Sequence, residues 1–142
     1  MAKIAVIYYS GTGNTEAMAN AVAEGINAGG GEAELFPVSS ISAADAAKYD
    51  KLALGCPAMG DEVLEESEFQ PFYDELSPSL SGKKVVLFGS YDWGDGQWIR
   101  DWADQVKAAG AELAADPLPV NLTPDEEALS QCKALGEVLA KA

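Results

Sequence analysis

The chain has 142 residues, of which 48% are hydrophobic and 23% charged, a composition typical of one domain with a buried core. Asp and Glu number 23 against 9 Lys and Arg, for a net charge of -14. This charge disfavours binding to nucleic acid or an anionic membrane surface and favours basic protein partners. The sequence contains no His, which excludes the common general base, the common catalytic triads and most zinc sites.

Cysteine usage and the absence of a leader pattern indicate a cytoplasmic protein. Only Cys56 and Cys132 are present, too few for a disulfide framework or a metal cluster, and we interpret them as buried small side chains. The N-terminus shows no basic segment followed by an apolar stretch. No apolar run approaches the roughly 20 residues that a membrane-spanning helix needs.

Apolar runs rich in β-branched residues predict four strands and a weaker fifth. The four lie at Ala2–Tyr9, Glu32–Pro37, Leu52–Cys56 and Val85–Gly89, and the fifth lies within Glu112–Val120, where Pro117 and Pro119 interrupt it. Continuous apolar runs are typical of strands that helices cover on both faces, which indicates a parallel sheet.

Helical patterns alternate with these strands. The longest are Glu16–Ala28, Gln97–Ala109 and a final helix that Thr123-Pro124-Asp125-Glu126 opens as a capping box with Pro124 at the first helical position. Shorter helices are predicted at Ala43–Lys48 and Phe69–Leu76. We therefore predict a single domain over residues 1–142. It is a three-layer, doubly wound α/β fold with a five-stranded parallel sheet in the order 2-1-3-4-5, which binds ligands at the carboxyl ends of its strands.

The loop after the first strand has the composition of a phosphate-binding loop. Its glycines let backbone N–H groups converge at a helix N-terminus, and its hydroxyls and amide add donors; the residues are Ser10, Gly11, Thr12, Gly13, Asn14 and Thr15. The loop lacks the Lys of nucleoside-triphosphatase loops, and Glu16 replaces the third Gly of the dinucleotide fingerprint. It suits one terminal phosphate, although an ordinary turn that caps a helix remains the alternative.

Two further unusual loops end at the same edge of the predicted sheet. The loop after the third strand comprises Pro57, Ala58, Met59, Gly60, Asp61 and Glu62, and the loop after the fourth comprises Ser90, Tyr91, Asp92, Trp93 and Gly94. Aromatic side chains in a polar loop favour a flat ligand stacked on them. The alternative is a plain turn whose aromatic side chains fold inward.

The segments SGTGNT, AMGDEVLEESEF and GSYDWGDG, in this order and spacing, resemble the short-chain flavodoxins of anaerobic bacteria over essentially the whole chain. The resemblance implies a flavodoxin-like fold and non-covalently bound FMN. It implies a low-potential one-electron carrier, not an enzyme, that cycles between semiquinone and hydroquinone and substitutes for ferredoxin.

The resemblance also implies roles for the loop residues. Ser10, Thr12, Asn14, Thr15 and Ser90 would hold the phosphate, with the loop amides. Met59 and Trp93 would lie on opposite faces of the isoalloxazine, the Gly60 peptide would flip on reduction, and Glu62 would fix the pyrimidine edge. The chain departs from the family pattern at Asp92, where relatives usually have Gly, and at Tyr9, where they often have Trp.

The cluster Asp61, Glu62, Glu65, Glu66 and Glu68 lies beside these loops. A solvated helix face would explain such a run, but its position favours a docking surface for basic redox partners of a monomeric carrier. Other hypotheses are a flavin enzyme such as a small quinone reductase, a non-flavin binding module, and a phospho-accepting receiver. This chain lacks the acidic residues that a receiver needs, because Tyr8-Tyr9-Ser10 and Gly55-Cys56-Pro57 occupy their places.

Overall fold

The structure is a computed structural model that describes residues 3–11, 13–59, 64–92, 94 and 96–142. The strands are β1 (Lys3–Tyr8), β2 (Glu32–Pro37), β3 (Lys51–Gly55), β4 (Lys84–Tyr91), β5 (Glu112–Leu113) and β6 (Leu118–Asn121). The helices are α1 (Asn14–Ala28), α2 (Ala43–Ala46), α3 (Phe69–Leu76), α4 (Gln97–Ala108) and α5 (Glu126–Lys141). None of the helices in these ranges is long and apolar enough to cross a membrane.

The strands form one parallel sheet in the order β2-β1-β3-β4-β5, with β6 also paired to β4. The predicted fold class and strand order are therefore confirmed. The weak fifth strand consists of two short pieces, since β5 pairs with the start of β4 and β6 with its end. Pro119 lies inside β6, at the edge of the sheet, where a residue without a backbone donor is tolerated.

Helices cover the sheet on both faces, and each face has its own apolar core. Alternate residues of β1 enter different cores: Ile4 and Val6 pack with α1 and α5, whereas Ala5 and Ile7 pack with the α3 and α4 side. This is the arrangement that the continuous apolar strands predict. Cys56 and Cys132 are free thiols buried in opposite cores, so their interpretation as core residues is confirmed.

Two helix starts differ from the sequence prediction. The first long helix begins at Asn14, with Gly13 as its N-cap. The last begins at Glu126, and Asp125, not Thr123, is the N-cap, with its carboxylate accepting from the Ala128 amide at 2.8 Å. The prediction of a capping box at Thr123 with Pro124 as first helical residue is wrong because Asp125 stands three positions before the amide that it caps.

Candidate functional site

The loop between β1 and α1 turns on Ser10 and Gly13. The Ser10 Oγ accepts hydrogen bonds from the Gly13 amide at 3.1 Å and the Glu16 amide at 3.2 Å. Gly13 has a φ of 94°, a conformation that strongly favours glycine, and an added Cβ there would meet nothing within 4 Å. The loop thus leaves open space beside Gly13 at the N-terminus of a 15-residue helix.

Tyr8 and Glu16 pair below this loop. The buried Tyr8 hydroxyl donates to Glu16 Oε2 at 3.2 Å. Burial, then the charge and hydrogen bond of Glu16, raise the pKa of Tyr8. The carboxylate of the first helical turn is thereby tied to the strand beneath it.

Ser90, near the end of β4, joins the first two loops. Its side chain and that of Thr15 are both buried, and their hydroxyls hydrogen-bond at 3.1 Å. The carbonyl of Ser90 accepts from the Ala58 amide at 3.0 Å. One residue therefore contacts both the predicted phosphate loop and the loop after β3.

At the start of the loop after β3, the backbone of Cys56 lies close to the backbone of Gly89 in β4. The Cys56 amide donates to Phe88 O at 3.1 Å, and the Trp98 indole donates to Cys56 O at 3.1 Å. A Cβ at Gly89 would lie 2.1 Å from Cys56 O, so only glycine fits there. Beyond this point Pro57 and Ala58 are half-buried, and Met59 is 39% exposed.

Glu65 corrects the prediction of an acidic face. Its side chain is buried, and its carboxylate accepts from the amides of Ser67, Glu68 and Phe69 and from the Ser67 hydroxyl. Burial alone would raise the pKa of this carboxyl, but the hydrogen bonds hold the pKa below its ordinary value. Of the other cluster members, Glu66 and Glu68 are exposed.

The loop after β4 carries one aromatic side chain that turns inward. Tyr91 is half-buried and packs against Trp98, with ring centroids 5.4 Å apart. Its carbonyl accepts from the Leu122 amide at 2.8 Å and the Asn121 side chain at 3.2 Å. The expectation of an exposed aromatic does not hold for Tyr91, because the neighbouring indole offers it an apolar surface. Asp92 and Gly94 are exposed.

The described part of the predicted site lies at one edge of the sheet. It comprises Ser10, Gly11, Gly13, Asn14, Thr15, Pro57, Ala58, Met59, Ser90, Tyr91, Asp92 and Gly94. The predicted positions Thr12, Gly60, Asp61, Glu62 and Trp93 lie outside the described residues.

A cavity of about 170 Å³ adjoins Ser10 and is lined by Tyr8, Glu16 and Glu68 among others. Larger grooves lie elsewhere: one of about 520 Å³ runs between α1 and α5, and one of about 610 Å³ lies beside Tyr49. The cavity beside Ser10 lies at the carboxyl ends of the parallel strands, where such folds bind ligands.

The donors of the first loop fit a phosphate monoester. Backbone N–H groups at a helix N-terminus, hydroxyls and open space suit a bound anion that is not transferred. The chemistry of the loop therefore agrees with a phosphate-bearing cofactor.

Comparison with known proteins identifies the family. The family model described as flavodoxin matches residues 6–136. The chain belongs to the flavodoxin family. It is 48% identical over 135 residues to the flavodoxin of Clostridium beijerinckii, covering 95% of this chain and 97% of the relative. It is 45% identical over 139 residues to the flavodoxin of Megasphaera elsdenii, covering 98% and 99%.

The fold of this flavodoxin matches solved structures as well. The solution structure of two-electron reduced Megasphaera elsdenii flavodoxin superposes with a TM-score of 0.87 at 42% identity and covers 98% of this chain and 99% of that one. Flavodoxins bind FMN and transfer electrons between redox proteins. The expected family, cofactor and general role are thus confirmed.

Sequence reasoning missed three residues that shape this flavodoxin's loops. The sequence patterns place Trp98 only within a predicted helix, Gly89 only at the end of a predicted strand, and Glu65 only in the acidic cluster. Glu65 carried a usable signal, because an acidic residue shortly before a helix is typical of N-terminal capping. The indole bond to Cys56 and the close approach at Gly89 depend on tertiary contacts that no local pattern records.

Proposed function

We propose that this flavodoxin is a low-potential one-electron carrier of the cytoplasm that substitutes for ferredoxin between oxidoreductases. Bound FMN supplies the redox chemistry, cycling between semiquinone and hydroquinone; the protein binds and orients it. The observation that supports this most is the junction at Ser90, whose hydroxyl meets Thr15 and whose carbonyl meets Ala58. Through Ser90, the loop assigned to the phosphate and the loop assigned to the ring meet near the end of β4.

The phosphate is assigned to the first loop. Backbone amides and side-chain hydroxyls, with no Lys or Arg in the loop, bind the phosphate. The residues are Ser10, Gly11, Thr12, Gly13, Asn14, Thr15 and Ser90. The support is the placement of Gly13 and Ser10 at the start of α1 and of Thr15 against Ser90.

The isoalloxazine is assigned to the other two loops. Met59 covers one face and Trp93 the other, and the surrounding segments supply Pro57, Ala58, Gly60, Asp61, Glu62, Tyr91, Asp92 and Gly94. The 39% exposure of Met59 supports its role, since a large apolar side chain at the sheet edge is free to meet a ring. Tyr91 supports the loop after β4 by packing its ring on Trp98.

Basic redox partners dock beside these loops. Glu66, Glu68 and Asp92 are exposed there, and we assign Asp61 and Glu62 to the same docking role from the sequence. Glu65 is removed from this surface because its carboxylate is buried and fully hydrogen-bonded. We infer that residues 1–142 form one domain that works as a monomer, with free buried cysteines suited to a reducing compartment.

A visible spectrum during stepwise anaerobic reduction tests the proposal. A yellow protein that passes through a long-wavelength blue form before bleaching supports a one-electron carrier. Direct bleaching favours a flavin-dependent reductase. A colourless protein that takes up no added FMN would refute flavin binding.

Gly60→Thr tests the role of the loop after β3. We expect a lower yield of the blue form, because a β-branched side chain restricts the backbone conformers that Gly can reach. An unchanged yield would contradict the proposed flip of the Gly60 peptide.

A further inference from the structure

The loop after β3 is fixed at both of its ends. At its start the Ala58 amide donates to Ser90 O at 3.0 Å. At its return the Glu65 amide donates to Cys56 Sγ at 3.4 Å, and Leu64 is buried in the core. The chain therefore leaves β3 at Cys56 and comes back to the side chain of the same residue. Met59 and residues 60–63 connect the two ends.

The Glu65 carboxylate holds the returning end. It accepts from the amides of Ser67 at 3.0 Å, Glu68 at 2.7 Å and Phe69 at 2.9 Å, and from the Ser67 hydroxyl. Helix α3 packs into the aromatic core through the edge-on contacts of Phe69 and Tyr73 with Trp102 of α4. Glu65 thus ties the end of the loop to a helix that is packed into the core.

We propose that Glu65 is a positioning residue for FMN, an inference that rests on the proposed function. By fixing the returning end, it limits the conformations of the segment that carries Met59 and Gly60. A loop held in its binding conformation loses less conformational freedom when the ligand arrives, which strengthens binding. Glu65 acts through the loop and does not itself touch the flavin.

The carboxylate is required, because this position meets only donors. Both of its oxygens accept, and an ionised carboxylate has about four acceptor sites. A carboxamide has one accepting oxygen and an NH₂ group, which would face backbone N–H groups. Glu65→Gln therefore breaks part of the hydrogen-bond set at almost unchanged volume.

Glu66 provides a matched control. It follows Glu65 directly and is exposed. Glu66→Gln removes the same negative charge from nearly the same place but leaves the hydrogen bonds of Glu65 intact. Glu66→Gln therefore reports the effect of removing a neighbouring exposed charge, and Glu65→Asp separates loss of the anchor from loss of the buried charge. Glu65→Asp keeps the charge but shortens the reach by one methylene group, so we expect it to behave like Glu65→Gln.

The experiment measures dissociation constants of apoprotein for FMN and riboflavin, with the yield of the blue one-electron-reduced form. We expect Glu65→Gln and Glu65→Asp to weaken both ligands by about tenfold, the scale of a lost charge-assisted hydrogen bond. Equal factors are expected because the loop serves the ring and not the phosphate. Glu66→Gln should stay within about twofold of wild type. The yield of the blue form should fall only in the Glu65 variants.

Amide hydrogen exchange of the apoproteins provides the fold control. In the Glu65 variants, protection should fall at Ser67–Phe69 and remain at α1 and α5. If Glu65→Gln and Glu66→Gln bind FMN equally, the inference is wrong while the proposed function stands. If the wild-type protein binds no FMN, the proposed function fails first, and the positioning role fails with it.

Discussion

The two faces of the sheet are packed by opposite means. On one face α1 and α5 touch backbone to backbone: a Cβ at Gly25 would lie 1.9 Å from Lys133 O, and a Cβ at Gly136 would lie 2.1 Å from Val22 O. On the other face the core is filled by large rings, with Trp102 edge-on to Phe69 at 5.4 Å and to Tyr73 at 6.1 Å. The glycine face has no room for added atoms, whereas the aromatic face depends on volume that must not be removed.

The faces also differ in how they reach the cofactor loops. The glycine face supports the predicted phosphate loop through α1, whose Thr15 contacts Ser90. The aromatic face supports the loops assigned to the ring, because Trp98 bonds to Cys56 O and packs against Tyr91. Each face should therefore fail in its own way when it is altered.

The largest loss is expected from Trp102→Ala. Trp102 is 1% exposed, and its removal would leave a cavity that costs about 3–5 kcal/mol of the free energy of unfolding. Urea denaturation measures the change. A loss below about 1 kcal/mol would mean that the aromatic face collapses around the cavity.

Gly136→Ala tests the glycine face. Alanine is the better helix former by about 1 kcal/mol, yet the added methyl group would meet the backbone of α1. We expect a net loss of about 1–3 kcal/mol, typical of overpacking, in the same denaturation assay. A gain in stability would show that the helices separate at no cost.

Trp98→Phe and Trp102→Phe separate volume from hydrogen bonding on the aromatic face. The Trp98 indole donates to Cys56 O, whereas the Trp102 indole has no hydrogen-bond partner among the described residues. Trp98→Phe leaves a carbonyl unpaired and should cost about 1–2 kcal/mol more than Trp102→Phe. Equal losses in thermal unfolding would contradict this difference.

Acidification should lower the free energy of unfolding by protonating Glu65, whose carboxylate holds the start of α3. The pKa of Glu65 lies below the ordinary carboxyl value of 4.5. The ionised carboxylate therefore contributes its full share of the free energy of unfolding above pH 4.5, and this share is lost as the pH falls through the folded-state pKa. The stability difference between wild type and Glu65→Gln should therefore be largest near about pH 6 and shrink on acidification. A constant difference down to about pH 3 would argue against a role for the ionised carboxylate.

The smallest effect is expected from Lys133→Ala. Lys133 Nζ lies 3.3 Å from Glu24 Oε2 across α1 and α5, but both side chains are more than half exposed. Such pairs contribute little, so the change should stay within about 0.5 kcal/mol. A larger loss in urea denaturation would mean that charge, and not close packing, holds the glycine face.

Local patterns were sufficient for most of the fold. The apolar runs located β1 to β4 because buried parallel strands are apolar on both faces. The patterns at Glu16–Ala28 and Gln97–Ala109 located the long helices because the spacing of their apolar residues matches the helical repeat. The alternation of five strands with helices favoured the doubly wound order 2-1-3-4-5, which the structure shows.

The remainder needed the structure itself. Glu65 looked like one of several surface acids, although its carboxylate accepts from amides only two to four residues further along the chain. Tyr91 turned inward because Trp98, on the next helix, lies under it. The start of α5 differs from the prediction because Asp125, and not Thr123, caps the helix by accepting from the Ala128 amide.

The edges of the sheet bear on how molecules of this protein meet one another. An uncovered edge strand is a template for pairing with another chain, and charged residues and prolines on the edge oppose such pairing. One edge is β2, which carries Glu32 and Glu34 and ends at Pro37, and β6 at the other side carries Pro119. Strand-to-strand aggregation is thereby disfavoured at both edges. Even at high concentration, copies of this carrier therefore do not readily pair through their edge strands, and their other surfaces stay available to different proteins.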